Sequence, residues 1–183
     1  MNIDWALVSR AVDYYQCHGF SYLEVPWICG KKATMATCPS DKTPILAAHP
    51  NIPLGYLAGS AEQSFIQMML DGTLSAGKYV AATPCFRDDE LDELHQRYFF
   101  KVELIDFSSS NEDAVGYMIH KARMFMGELT IKPIAIEETE SGVDLCCDGI
   151  ELGSYGYREF EGFKWAYGTG LALPRFSQVC QDK

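Results

Sequence analysis

The clearest alternation of apolar and polar residues lies between Thr83 and Leu104, where it predicts two strands joined by a short acidic loop. On the second strand the apolar face carries Phe100, Val102 and Leu104, and the opposite face carries Phe99, Lys101 and Glu103. A face that only met solvent would not need an aromatic ring. Because Arg87 lies on the first strand, a hairpin would bring it close to Phe99 and Glu103.

Helical spacing of apolar residues, together with capping residues, predicts three helices. The predicted N-caps are Asp4, Ser60 and Ser110, and Gly19 is a fitting stop for the first helix. Residues 30–55 contain four prolines and predict an irregular loop.

The polar face of the predicted hairpin carries groups that suit a nucleotide. An aromatic ring such as Phe99 can stack on a base, and a guanidinium such as Arg87 can hold a phosphate through two parallel hydrogen bonds. A carboxylate such as Glu103 can receive an ammonium. The alternative is an amphipathic hairpin whose charged face is merely solvated, and the residues of the hairpin alone leave both interpretations open.

A second hairpin is predicted at Asp148-Gly149, a dipeptide that favours a two-residue turn. This turn places Asp144, Cys146 and Glu151 on one face, with the two carboxylates as diagonal neighbours. Two carboxylates at that spacing repel each other, and a divalent ion that also bound phosphates would relieve the repulsion. Mg²⁺ commonly takes one or two carboxylates plus phosphate oxygens, so the pair is a candidate magnesium site. A solvated acidic edge is the alternative.

Length and charge restrict the possible functions. The 183 residues are enough for one domain with a sizeable core, and the whole range 1–183 is predicted to be that domain. The formal net charge of −10 argues against a broad binding surface for DNA or other nucleic acids, because Lys and Arg supply most of that affinity. The absence of a long apolar run predicts no membrane span, and the N-terminal sequence does not resemble a signal peptide.

The cysteines point to a reducing compartment. There are seven of them, an odd number, and they are scattered without a CxxC pair or a metal-binding Cys/His spacing. Reduced thiols in the cytoplasm are therefore expected.

Three segments in chain order resemble the three signature motifs of the class II aminoacyl-tRNA synthetases. The sequence GFSYLEVPWI, with Pro26 in a strand that follows a helix, is similar to the first motif. The second motif resembles TPCFRDDE followed by HQRYFFKVEL, in the form that seryl-type enzymes carry, and Ser60-Ala61-Glu62 resembles a segment that precedes it there. The third motif resembles WAYGTGLALPRFS, read as a strand and then a helix that begins near Leu171 and contains Arg175.

The resemblance implies a fold, a reaction and a set of roles. The fold is α+β, an antiparallel sheet flanked by helices, with ATP bent across it. The first motif implies a homodimer. The reaction is attack of an amino-acid carboxylate on the α-phosphorus of ATP. Arg87 and Arg175 would be the catalytic residues. The implied binding roles are Arg87 for the α-phosphate, His95 or Arg97 for the γ-phosphate, Phe99, Arg175 and Asp89 for the adenine, Glu62 and Glu103 for the substrate ammonium, Arg158 for an acidic group of the substrate, and Asp144 and Glu151 for Mg²⁺.

Several features depart from the family pattern. Asp89 replaces the Glu that the family generally has, and the loop from Asp88 to Leu94 carries five acidic residues that would repel a tRNA backbone. A chain of this length is also too short for a catalytic core plus an anticodon-binding domain. The leading hypothesis is therefore a synthetase-like enzyme that activates an amino acid or a similar small carboxylate for an acceptor other than tRNA. The alternatives are a non-catalytic paralogue that binds ATP or an amino acid, and a minimal tRNA-charging enzyme.

Overall fold

The computed structural model describes residues 3–49, 52–109 and 111–180. The helices are α1 (Trp5–Cys17), α2 (Lys31–Met35), α3 (Ala61–Leu70), α4 (Glu112–Gly127) and α5 (Arg175–Val179). The strands are β1 (Ser21–Tyr22), β2 (Ile28–Cys29), β3 (Leu46–His49), β4 (Ile52–Leu57), β5 (Lys78–Phe86), β6 (Tyr98–Asp106), β7 (Ala135–Thr139), β8 (Gly142–Cys147), β9 (Ile150–Phe160) and β10 (Phe163–Leu173).

A large sheet organises the molecule. Within the described residues it has seven strands in the order β1-β5-β6-β10-β9-β8-β7, and all its pairs are antiparallel except β1 with β5. A smaller antiparallel sheet has the order β2-β4-β3. The expectation of an α+β fold with an antiparallel sheet flanked by helices is confirmed.

The core lies on both sides of the large sheet. Side chains of α1, α4 and α5 pack against the apolar face of β6 and its neighbours, including Val102 and Leu104. A second cluster contains Phe65 and Ile66 of α3 together with the fully buried Trp165 of β10. Because β6 buries Val102 and Leu104 in the first cluster, the side chains that alternate with them project toward the other side of the sheet.

Two of the predicted helix caps are observed. The Asp4 carboxylate accepts from the Leu7 amide at 2.9 Å, and the Ser60 hydroxyl accepts from the Glu62 amide at 3.1 Å. Helix α4 is capped by Asn111, whose side chain accepts from the Ala114 amide at 3.0 Å, while Ser110 lies outside the described residues.

Three expectations about the secondary structure were wrong. Residues 30–55 are not an irregular loop, because α2, β3 and most of β4 form there and β4 pairs with both β2 and β3. The strand predicted up to Pro26 is reduced to the two residues of β1. The last helix begins at Arg175 rather than near Leu171, since Leu171–Leu173 continue β10, pair with β6 and are buried.

The predicted turn at Asp148-Gly149 is present, with left-handed φ values of 53° and 76°. As expected, Cys146 lies opposite Glu151. A bulge between Leu145 and Cys146 then shifts the register, so that Asp144 lies opposite Ser154. None of the helices in the described part of the chain is long and apolar enough to cross a membrane.

Candidate active site

A cavity of about 840 Å³ lies over the middle of the large sheet. Its floor is formed by β6, β9 and β10, and its sides by the segments 37–44 and 86–96. These two segments are far apart in sequence, and it is the fold that brings them together on either side of the cavity. Its volume falls in the range of ordinary small-molecule sites.

Arg87 and Phe99 form one wall of the cavity. The Arg87 guanidinium lies 5.2 Å from the centre of the Phe99 ring, and its Nε donates to the carbonyl oxygen of Gly59 at 3.1 Å. The backbone amide of Arg87 donates to the carbonyl oxygen of Arg97 at 3.0 Å, which extends the β5–β6 hairpin by one step. The predicted approach of Arg87 to Phe99 is therefore present in the structure.

Glu103 is the centre of a hydrogen-bond network on the cavity floor. Its Oε1 accepts from the Ser60 hydroxyl at 2.9 Å and from Lys101 Nζ at 3.4 Å. Its Oε2 accepts from the Ala61 amide at 2.5 Å and from the Cys85 thiol at 3.7 Å. Burial raises the pKa of the Cys85 thiol well above its ordinary value, with the Glu103 charge adding to the effect.

Glu62 lies in a second buried network beside Glu103. Its Oε1 accepts from Trp165 Nε1 and its Oε2 accepts from Arg158 Nη1, both at 2.6 Å. Burial raises the pKa of Glu62, although Arg158 and Trp165 act in the opposite direction. The Arg158 guanidinium also lies 4.3 Å from the centre of the Tyr167 ring, so it is fixed on two sides.

The acidic loop is partly neutralised by neighbouring residues. Asp89 pairs with Lys42 at 2.7 Å, which joins the loop to the segment 37–44 on the other side of the cavity. Asp92 pairs with His95 at 2.8 Å and also accepts from two backbone amides, so its pKa is lowered. Two of the five acidic residues in this loop are therefore engaged.

Glu151 and Arg175 meet at another part of the cavity. Arg175 Nη1 donates to the carbonyl oxygen of Glu151 at 3.3 Å and lies 3.6 Å from its carboxylate. Burial raises the pKa of Asp144, and the charges of Glu151 and Glu137 raise it further, while a hydrogen bond from Ser154 opposes them. Because of the bulge, Asp144 pairs with Ser154, three residues beyond Glu151 on β9, and the diagonal placement that the hairpin predicted is altered.

The structure brings together most of the residues that the sequence singled out. The cavity is lined by Glu62, Arg87, Asp89, His95, Phe99, Glu103, Glu151, Arg158 and Arg175. Among the described residues, Arg97 and Asp144 are predicted site residues that do not line it. Sequence reasoning did not assign a site role to Lys42, Lys101, Tyr167 or Thr169, which also line it. The alternation on β6 placed Lys101 on the polar face, but nothing in the sequence indicated that Lys42 approaches Asp89.

No family model matches the chain, and no curated protein matches it in sequence. Solved structures do match it in fold, over 96% of this chain. The cytoplasmic serine-tRNA ligase of Naegleria fowleri, solved in complex with AMP, matches with a TM-score of 0.74 and 17% identity. The seryl-tRNA synthetase of Pyrococcus horikoshii, complexed with ATP, has the same TM-score and identity. The chain has a class II synthetase-like fold.

A further structure shares this class II synthetase-like fold. The pyrrolysyl tRNA synthetase of Desulfitobacterium hafniense matches with a TM-score of 0.72 and 15% identity. The chain covers 52% of the Naegleria protein, 49% of the Pyrococcus protein and 66% of the Desulfitobacterium protein. It therefore spans about half the length of the two seryl-type proteins. The expected fold is confirmed by these neighbours.

Proposed function

We propose that this protein uses ATP to activate the carboxylate of an amino acid or a similar small carboxylic acid. The observation that carries the proposal is the wall formed by Arg87 and Phe99, 5.2 Å apart, over the open floor of the cavity. An aromatic face beside a guanidinium offers stacking for a base and a charge-assisted contact for a phosphate. The fold supports the proposal, since two of the matching structures were solved with AMP or ATP.

The proposed reaction needs no general base, because a carboxylate is already ionised at neutral pH. A carboxylate oxygen attacks the α-phosphorus, the bond from that phosphorus to the bridging oxygen breaks, and pyrophosphate leaves. Arg87 would neutralise charge on the α-phosphate, and Phe99 would stack on the adenine. Positioning and charge neutralisation are then the main sources of catalysis. The sequence-based roles of Asp89, His95, Arg97 and the other candidates stay predictions.

Mg²⁺ fits this scheme through Asp144 and Glu151. Two neighbouring carboxylates are the donors that Mg²⁺ takes when phosphate oxygens complete its coordination. Both residues belong to the β8–β9 hairpin, with Glu151 opposite Cys146 and Asp144 opposite Ser154. Bound there, Mg²⁺ would neutralise phosphate charge. Arg175 would approach the nucleotide beside it, because its guanidinium already contacts Glu151.

We propose that the acceptor of the activated group is not tRNA. The net charge of −10 and the acidic loop 88–94 both disfavour a polyphosphate backbone. Asp89 and Asp92 are paired, which leaves Asp88, Glu90 and Glu93 of that loop as the remaining negative charges. Charging of tRNA by a minimal enzyme is the alternative, and it would appear as tRNA binding that weakens steeply with added salt.

We also propose that the protein acts in the cytoplasm as a homodimer. The described cysteines are all free thiols, which is compatible with a reducing compartment. Tyr22, Trp27 and Ile28 are large apolar side chains, each at least 40% exposed, that line one surface pocket. Such a group of exposed apolar side chains is typical of an interaction surface. Light scattering at micromolar concentration would give twice the chain mass if the dimer forms, and a single chain mass would contradict it.

A non-catalytic binding protein is the second candidate function. The observation that favours it is the contact between Glu151 and Arg175, in which a predicted metal ligand is already neutralised by a predicted nucleotide ligand. A protein of this kind would bind ATP or a small carboxylate without turnover.

The deciding experiment is ATP–pyrophosphate exchange with purified protein, Mg²⁺ and each standard amino acid or related carboxylic acid in turn. Exchange that depends on one acid would establish adenylate formation and identify the substrate together. The absence of exchange with every acid, alongside measurable ATP binding, would contradict the enzymatic proposal and favour the binding protein. Arg87→Ala is the inactive control for any exchange that is observed.

A further inference from the structure

Gln63 is a buried polar side chain that has no role in the reaction as described so far. It is only 5% exposed and lies in the first turn of α3, in the lining of the cavity. Its Oε1 accepts from the Gly59 amide at 2.9 Å, and its Nε2 donates to the carbonyl oxygen of Thr34 at 3.2 Å. A buried amide is costly unless it is hydrogen-bonded, and the backbone satisfies both halves of this one. Gln63 therefore ties α3 to two other parts of the chain.

Gly59 links Gln63 to Arg87. The Gly59 carbonyl oxygen accepts from Arg87 Nε at 3.1 Å, and the Ala58 carbonyl oxygen beside it accepts from the Phe86 amide at 2.9 Å. A Cβ at Gly59 would lie 3.4 Å from the carbonyl oxygen of Phe86, so the two segments approach closely there. Because glycine has the widest choice of backbone conformations, the direction of its carbonyl group depends on the bonds that hold it. The bond from Gln63 is one of them.

The other end of the Gln63 amide is connected to the opposite side of the cavity. The Thr34 carbonyl oxygen also accepts from the Cys38 amide at 3.1 Å, where the side segment 37–44 begins. Gln63 thus joins the start of this segment to the segment 86–96, which contains Arg87. The ion pair described above joins the same two segments, but an exposed pair is weakened by solvent and salt.

The hydrogen bond to Gly59 also decides which donors Arg87 offers to a ligand. A guanidinium carries five N–H groups. Among the described residues, Nε is the group of Arg87 that donates to the protein, and its acceptor is Gly59. The two Nη groups remain for phosphate oxygens, with which a guanidinium can form two parallel hydrogen bonds.

We propose that Gln63 is a positioning residue that holds the Arg87 guanidinium in the orientation in which it meets the α-phosphate of ATP. This inference rests on the proposed function for the role of Arg87. Gln63 acts through the Gly59 peptide and does not itself contact the nucleotide. Its second bond, to Thr34, fixes the amide so that its oxygen faces Gly59.

Hydrogen exchange of the Arg87 Nε–H group tests the inference without any ligand. Gln63→Met keeps a side chain of similar length and removes both amide hydrogen bonds. Exchange of this group with water is measured by ¹⁵N NMR, and its resonance is identified by its absence in Arg87→Lys. Hydrogen exchange should be about fivefold faster in Gln63→Met than in the wild type, because the bond to Gly59 is then loosened. An unchanged rate would overturn the inference.

Gln67→Met is the matched control. Gln67 lies one turn further along α3, and its Oε1 also accepts from a backbone amide, that of Gly30, at 2.8 Å. This residue lies outside the described lining of the cavity. Hydrogen exchange of the Arg87 Nε–H group should therefore be unchanged in this variant. Equally fast exchange in both variants would mean that α3 acts through its stability alone, and it would overturn the inference.

Gln63→Glu covers the case in which Gln63→Met does not fold. At about pH 5 a buried carboxyl group keeps its proton, so this variant retains both an acceptor for Gly59 and a donor for Thr34. Its Arg87 Nε–H group should exchange within about twofold of the wild-type rate. Hydrogen exchange as fast as in an unfolded chain would overturn the inference.

Binding of ATP gives a second readout. Affinity for a non-hydrolysable ATP analogue is measured by calorimetry for Gln63→Met, Arg87→Ala and the double variant. Gln63→Met should weaken binding about tenfold when Arg87 is present. It should have no further effect in Arg87→Ala, because no guanidinium is then left to position. Gln67→Met should bind as the wild type does. An equal loss with and without Arg87 would overturn the inference.

The readouts separate this inference from the proposed function. Faster hydrogen exchange and weaker binding in Gln63→Met, with no ATP–pyrophosphate exchange in the wild type, would support the positioning role and contradict adenylate formation. Pyrophosphate exchange in the wild type, with an unchanged Arg87 Nε–H group in Gln63→Met, would support adenylate formation and overturn the inference. A wild type that binds no ATP analogue would overturn both.

Discussion

Arg87 is an exposed side chain whose position is fixed by Gly59 and Phe99. The Arg87 side chain contributes little to the core, so Arg87→Ala should leave the fold intact. The variant should remove a charge-assisted phosphate contact worth about 1.5 to 3 kcal/mol. ATP affinity is therefore expected to fall about 10- to 100-fold by calorimetry, with an unchanged circular dichroism spectrum. Arg10→Ala is the control, since Arg10 pairs with Glu128 outside the cavity. Equal affinities for both variants would contradict the role of Arg87.

The pair of Glu62 and Arg158 makes a prediction about stability. Arg158→Met leaves a buried carboxylate without its charged partner and should lower the free energy of unfolding by about 2 to 3 kcal/mol, less than for a fully buried pair because Arg158 is partly exposed. The double variant Glu62→Gln with Arg158→Met should recover part of this loss. Urea denaturation of the two single variants and the double variant measures the coupling. Additive effects would show that the pair is not coupled.

The same carboxylate gives a pH dependence. Burial raises the native pKa of Glu62 above its ordinary value of 4.5, so the native state binds the proton more tightly than the unfolded chain. The protonation of Glu62 therefore adds to the free energy of unfolding below about pH 4.5, and this contribution is lost as the pH rises through the native pKa. Relative to Glu62→Gln, the wild type should lose stability over that window in denaturation curves recorded at several pH values. Parallel curves for the two proteins would contradict the shift.

At the scale of elements, close packing of β9 against β10 leaves no space for a side chain at Gly168. A Cβ there would lie 2.5 Å from the Tyr155 ring, so Gly168→Ala should destabilise the protein by about 1 to 3 kcal/mol. Gly116 of α4 has nothing within 4 Å, and Gly116→Ala should stabilise by up to about 1 kcal/mol through helix propensity. Thermal unfolding of both variants tests the contrast, and a stable Gly168→Ala would show that β9 and β10 can separate.

Elements with strong local signals could be predicted from the sequence. The β5–β6 hairpin follows from strict alternation, and the caps at Asp4 and Ser60 follow from residue type. The short strands β2, β3 and β4 were missed because the prolines around them mask the period and only their mutual pairing stabilises them. The continuation of β10 to Leu173 depends on burial against β6, a long-range contact that the Gly-rich sequence does not reveal.

The site shows the same division between local and long-range information. Phe99, Lys101 and Glu103 share a face because they alternate along one strand, and this could be predicted. The contacts of Glu62 with Arg158 and Trp165 join residues about a hundred positions apart, so no local pattern encodes them. Lys42 was missed for the same reason.

For the whole molecule, the burial of the thiols predicts a graded reactivity. Cys17 is exposed and Cys38 is partly buried, while the other five described cysteines are buried. Burial raises the pKa of Cys29 to about 11 and of Cys180 to about 12, so these thiols are protonated near neutral pH and react slowly. Ellman's reagent at pH 8 should modify Cys17 quickly, Cys38 slowly and the rest only in denaturant. Rapid modification of all seven would mean that the core opens readily.

The ion pair between Lys42 and Asp89 has a kinetic consequence. It bridges the two segments that flank the cavity, and the Lys42 side chain is about half exposed, at 48%. Added salt screens such a pair and so loosens the contact between the two side segments, without altering the cavity floor. Salt that merely screened the attraction between protein and ATP would slow binding. Here the release of a bound nucleotide should instead quicken as ionic strength rises, and Lys42→Ala should release it quickly at every salt concentration.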